Sequence, residues 1–122
     1  MNNKPTLVMG ASTNPMRYSN MAIDLLKKHG HAVVALSNRA DVLPDGSKIV
    51  MEFPASGSID TVTLYLNPER QKAYYQSILV LKPKRILFNP GTENPELKLL
   101  ATNAGIECEE ACTLVLLGQQ SY

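Results

Sequence analysis

A single α/β domain, with a mainly parallel, doubly wound sheet and helices on both faces, is the fold class this chain predicts. Three observations carry it. Short apolar runs alternate with amphipathic helical stretches along all 122 residues. The run 31–37 is apolar without a break from Ala32 to Leu36, as strands covered on both faces are. Asn-Pro-Glu recurs at 67–69 and 94–96 as a helix opening: a capping Asn, proline at the first helical position and an acid in the first turn. Alternation of strand and helix implies right-handed crossovers and a parallel sheet. No repeat, low-complexity tract or linker divides the chain, so residues 1–122 read as one domain with one core.

Thr6-Leu7-Val8-Met9 is the first strand, closed by Gly10. The small and polar residues 10–15 form a turn, and Ser19 or Asn20 is expected to cap a helix over about 20–29. That helix sets Ala22, Leu25, Leu26 and His29 on one stripe, with Asn20, Asp24, Lys27 and Lys28 opposite. Gly30 suits its C-terminal stop. Residues 31–37 make the second strand. Leu43-Pro44-Asp45-Gly46 signals a turn, and 48–53 a short strand. Residues 60–66 alternate β-branched and apolar side chains as a strand does.

Asn67-Pro68-Glu69 opens a helix to about Leu81, with Tyr74, Tyr75, Ile78 and Leu81 facing inward and Lys82-Pro83-Lys84 ending it. Residues 85–89 form a strand, and Asn94-Pro95-Glu96 starts a helix that Gly105 stops. Residues 106–109 are a short last strand. The apolar tail 111–122 carries no assigned element.

Composition removes several function classes. A formal net charge of +1 provides no field suited to nucleic acid or an anionic membrane. No apolar run approaches the roughly 20 residues that span a bilayer, and the first residues lack the apolar core of a secretory signal. Cys108 and Cys112, in an extended segment, stand roughly 13 Å apart, too far to bond. Reduced thiols and a cytoplasmic location follow as expectations. Two Cys and two His at opposite ends of the chain offer no metal-ligand spacing.

The candidate site lies beyond the C-terminal ends of the strands, where a doubly wound sheet places its ligand. Those ends carry residues 10–12, 37–39, 66–68 and 89–91. A strand–turn–helix at 6–20 aims backbone N–H groups and a helix N-terminus at one spot, which favours phosphate. Of the three glycines in the dinucleotide fingerprint only Gly10 is present, with Ser12 and Thr13 adding hydroxyls. The second strand ends in Asn38-Arg39, where an NAD site would carry an acid. An arginine there pairs with a ribose phosphate. NAD is therefore disfavoured, and NADP and coenzyme A both qualify.

Val8-Met9-Gly10-Ala11-Ser12 followed by Arg17-Tyr18-Ser19 resembles the Gly-Ala-Ser…Arg-x-Ser pattern of the small stand-alone CoA-binding protein family. That family is similar to the CoA-binding domain of the succinyl-CoA synthetase α subunit. The resemblance covers nearly the whole chain, through Ser37-Asn38-Arg39, Ile59-Asp60, Asn89-Pro90-Gly91 and Glu110-Ala111-Cys112. It departs at Arg39, where the family usually has Lys, at Leu66, where relatives often carry Arg, and at Asn89, where Gln is usual.

The resemblance implies a Rossmann-like domain that binds coenzyme A or an acyl-CoA without catalysis. In it Gly10, Ala11 and Ser12 form the phosphate turn, with Arg17 and Ser19 beside the pyrophosphate. Asn38 and Arg39 meet the adenosine end with its 3′-phosphate, and Leu66 and Asn67 wall the adenine or pantetheine path.

No nucleophile–base pair appears at the strand ends, so no catalytic residue is assigned. An NADP-linked reductase is the alternative, with Tyr18 as its one proton donor. A detached CoA-binding subunit of an NDP-forming acyl-CoA synthetase is another, and it needs a partner chain for the phosphohistidine step. Cys112 could form a mixed disulfide with the pantetheine thiol, against the simpler expectation of an inert buried thiol. His29 and His31 fall at the opposite edge of the sheet and are read as structural. The segment Leu114-Val115-Leu116-Leu117 serves either a homodimer contact or the chain's own core.

Overall fold

In the computed structural model, which describes residues 3–122, the first strand occupies the middle of the sheet. The strands are β1 (Thr6–Met9), β2 (Val33–Leu36), β3 (Asp41–Val42), β4 (Lys48–Val50), β5 (Thr61–Leu64), β6 (Arg85–Phe88) and β7 (Glu107–Glu110). They form one sheet in the order β3-β4-β2-β1-β5-β6-β7. Every pairing is parallel except β3 with β4. With the β3 hairpin set aside, the parallel strands run third, second, first, fourth, fifth, sixth. This is the doubly wound order, and its reversal falls between β1 and β5.

Five helices accompany the described strands: α1 (Tyr18–Lys28), α2 (Pro68–Gln71), α3 (Tyr75–Leu81), α4 (Pro95–Asn103) and α5 (Thr113–Gly118). The two-residue period of β1 divides the core. Leu7 and Met9 pack with Ile78, Leu81, Leu97 and Ala101 under α3 and α4. Val8 packs with Ile23, Leu26 and Leu117 under α1 and α5. Helices therefore cover both faces, and the inward stripe of α1 includes Ile23, which the sequence reading omitted.

Two expectations change. The helix expected over 67–81 is interrupted by a 3-10 turn at Lys72–Tyr74. No glycine or proline marks the break, which lies between two anchors. Gln71, buried, donates from Nε2 to the Leu66 and Thr92 carbonyl oxygens. Tyr75 hydrogen-bonds through its hydroxyl to Asn94 and Glu96. Each half of the helix is thus tied separately to the loop after β6. The second change is β3, read from sequence only as a turn region. Gly46 N–H donates to the Leu43 carbonyl at 2.9 Å and closes a hairpin that sets β3 against β4.

The tail acquires a definite place. Leu117 is buried beside Ile23 and Leu26, while Val115 is 52% exposed. Tyr122 then reaches the N-terminal edge of the sheet. Its hydroxyl lies 2.6 Å from Thr6 Oγ1, its ring 4.9 Å from that of His31, and the Arg85 guanidinium 4.6 Å from its centroid. His31 Nδ1 accepts the Lys4 N–H at 2.9 Å. Burial, helped by His29, Lys4 and Arg85 and opposed by Asp60, holds the His31 imidazole below its ordinary pKa, which preserves that acceptor. Both histidines lie away from the C-terminal edge, as the sequence reading expects.

Candidate functional site at the strand reversal

Gly10 turns the chain out of β1 with φ +89°. A Cβ built there would stand 2.9 Å from the Tyr65 carbonyl oxygen and 3.0 Å from its carbon. The turn after β1 is therefore pressed against the end of β5, an approach only glycine permits. Past Gly10 the loop is locked by its own polar side chains. Ser12 Oγ accepts the Asn14 N–H at 3.0 Å, Asn14 Oδ1 accepts the Met16 N–H at 3.0 Å, and Asn20 Nδ2 donates to the Ser12 carbonyl at 2.9 Å.

The N–H accounting differs from the expected phosphate turn. Gly10 and Ala11 both donate to the Leu36 carbonyl at 3.0 Å, stitching the turn to β2. Across residues 10–20 the backbone donors left without an acceptor among the described residues are those of Ser12, Thr13, Tyr18 and Ser19. The cap differs too. Arg17, not Ser19 or Asn20, occupies the N-cap of α1, and no side chain caps that helix. Ser19 lies inside the first turn and is buried, and Asn20 is engaged by Ser12. By contrast α2 and α4 are capped by Asn67 and Asn94, whose Oδ1 atoms accept first-turn N–H groups. The start of α1, beside the strand reversal, is thus left with free donors that no side chain caps.

An open groove of about 710 Å³ runs across this edge. Of the sequence-predicted residues, Gly10, Ala11, Ser12, Arg17, Ser19, Asn38, Leu66 and Asn67 line it together. Arg39 lines instead an adjoining pocket of about 400 Å³ on the β2 side, which shares Ala11, Ser12, Ser37 and Asn38 with the groove. Cys112 lines neither. It is partly buried at the start of α5, so the mixed-disulfide idea gains no geometric support.

The groove also gathers residues that sequence reasoning missed. Tyr18, 70% exposed at the mouth, and Tyr74, whose ring lies 5.9 Å from that of Phe53, supply aromatic walls. Arg70 contributes a guanidinium from α2. It stands three residues after the capping Asn67, and its own N–H donates to Asn67 Oδ1 at 2.9 Å. The signal in the sequence is its place: a charge in the first turn of a helix that starts at this edge is a candidate for the site. Tyr65 lines the groove as well. Its hydroxyl is buried without a partner, and burial pushes its pKa up to about 12.

Charge pairing sharpens the picture. Among the described residues the ion pairs are Lys27–Asp45, Lys28–Asp24 and Lys72–Glu69, and none uses Arg17, Arg39 or Arg70. Glu69, the groove's carboxylate, is held by Lys72 at 3.1 Å. Unmatched guanidinium groups beside unpaired N–H donors make an edge suited to phosphate oxygens.

A buried polar network holds the groove's far wall. Asn89 Nδ2 donates to Thr63 Oγ1 at 2.7 Å and to the Leu64 carbonyl at 2.8 Å, while its Oδ1 accepts the Thr113 N–H at 2.8 Å. One side chain thereby joins β5, the end of β6 and α5.

Residues 4–118 match the model of a family described as a CoA binding domain. The chain belongs to that CoA-binding domain family. One similar solved structure, described as an uncharacterized protein, is 42% identical with a TM-score of 0.94, covering 100% of both chains. A hypothetical protein from Pyrococcus horikoshii OT3 is 23% identical, TM-score 0.86, over 97% of this chain and 84% of that one. A protein from Thermus thermophilus is 19% identical, TM-score 0.84, over 98% and 91%. These two likenesses establish the fold. No curated protein matches the chain. Membership in the CoA-binding family accords with the resemblance read from residues 8–19. No helix among the described residues is long and apolar enough to cross a membrane.

Proposed function

We propose that this protein binds coenzyme A or an acyl-CoA, without catalysing a reaction itself, across the groove at the β1–β5 reversal. One observation carries the reading. The uncapped start of α1, with the free N–H groups of Ser12, Thr13, Tyr18 and Ser19, adjoins Arg17 on one side and the Arg39 pocket on the other. A pyrophosphate fits the first feature and a ribose 3′-phosphate the second. The half-exposed apolar wall of Leu66 leaves a path for the uncharged pantetheine arm. The groove's lining holds no His or Cys, and its one carboxylate, Glu69, is exposed and paired with Lys72, which supports a binding role over acid–base chemistry.

Thermal shift against coenzyme A, acetyl-CoA, NADP, NAD and ATP tests the proposal. A ligand at a hundred times its Kd stabilises by about 2.7 kcal/mol, which in a domain of this size moves Tm on the order of 10 °C. The expected pattern is a shift with the two CoA species, reduced in Arg17→Ala and Arg39→Ala. A shift with NADP alone would replace this reading with the reductase-like one.

A further inference from the structure

We propose that Arg70 makes the groove selective for coenzyme A thioesters whose acyl group carries its own carboxylate. The inference rests on the coenzyme A reading above and deepens it. Its starting point is an excess of guanidinium groups over phosphates. The pyrophosphate falls to the donors at α1 with Arg17, and the 3′-phosphate to Arg39. Arg70 is left over. It stands on the β5 side of the Gly10 turn, whereas Arg39 stands on the β2 side in the adjoining pocket. No carboxylate of the described chain pairs with it, because the adjacent Glu69 is taken by Lys72 at 3.1 Å.

The surroundings of Arg70 say what kind of anion is missing. Leu66, Ala73, Tyr74 and Pro90 line the same groove as Arg70. A pantetheine arm laid along these side chains presents no charge of its own. The negative group that can meet Arg70 at the end of this path is therefore on the acyl moiety. A carboxylate matches a guanidinium in two parallel hydrogen bonds. The backbone at Arg70 is pinned by the Asn67 cap, so the cation departs from a fixed point.

Calorimetric titration with coenzyme A, isovaleryl-CoA, malonyl-CoA and glutaryl-CoA tests this. Isovaleryl and malonyl groups are close in size, with two methyls on a tetrahedral carbon in place of the two oxygens of a planar carboxylate. Malonyl- or glutaryl-CoA is expected to bind at least tenfold more tightly than isovaleryl-CoA. Arg70→Met should collapse that ratio towards one, Arg70→Lys should keep part of it, and Lys98→Met on the exposed side of α4 should leave it intact. Two results overturn the inference while sparing the coenzyme A reading: equal affinities for all thioesters, or a uniform loss in Arg70→Met that leaves the ratio standing. The second would put Arg70 on the pyrophosphate. Failure of all four ligands to bind would remove the coenzyme A reading and this inference together.

Discussion

Gly10→Ala is expected to cost about 2–5 kcal/mol of stability, from backbone strain and overpacking together. The residue sits at φ +89°, where an L side chain is disfavoured, and its new Cβ would meet the Tyr65 carbonyl oxygen at 2.9 Å and Leu66 Cδ2 at 3.2 Å. The Leu66 side chain can yield, but the β5 backbone cannot without disturbing the parallel pairing of Met9 with Leu64. Gly105→Ala provides the comparison. It has φ +83° and open space around it, so it should lose only about 1–2 kcal/mol from the left-handed backbone. Urea unfolding of both variants separates close approach from conformational strain. Equal midpoints for the two would show that the β1 turn and β5 are not pressed together.

Asn89→Leu is expected to destabilise the chain by about 2–4 kcal/mol despite its similar volume. The substitution leaves the Thr113 N–H and the Leu64 carbonyl without their side-chain partner in a buried setting, and frees the Thr63–Thr113 hydroxyl pair from its third member. Because Asn89 accepts the first N–H of α5 and also holds the Thr63 hydroxyl that pairs with Thr113, amide exchange over residues 113–118 should accelerate more than over α4. An unchanged urea midpoint with unchanged exchange in α5 would show that the network adds nothing to the fold.

The fold was legible in the sequence where one physical rule acted alone. Continuous apolar runs marked β1 and β2, and the two Asn-Pro openings marked the starts of α2 and α4, because capping chemistry is local. Legibility failed where tertiary contacts decide. Nothing near Lys72 announces a 3-10 turn, since the cause is the pull of Gln71 and Tyr75 towards the loop after β6. Nor does the tail announce α5, whose inward face is defined by α1 and whose last residue is placed by Thr6, His31 and Arg85.

The candidate site divides along the same line. Eight of the nine residues proposed from sequence line one groove, because strand ends and turns fix their backbone positions. Arg39 stands one pocket away because β2 runs directly into the β3 hairpin without a helix to carry it inward. The specific donors were misjudged for a physical reason. A small-residue turn can spend its N–H groups on a neighbouring strand, and Gly10 and Ala11 do so at Leu36. Arg70 is masked in the sequence because its neighbours spell a cap, and capping accounts for the segment without reference to a ligand.

The measurement that bears most directly on the central claim is a residue-resolved titration of the ¹⁵N-labelled protein with coenzyme A. The Ser12, Thr13, Tyr18 and Ser19 amides are expected to move most, while Gly30 and Gly105 at the opposite edge stay in place. Saturable shifts centred on that opposite edge, or none at all, would contradict it.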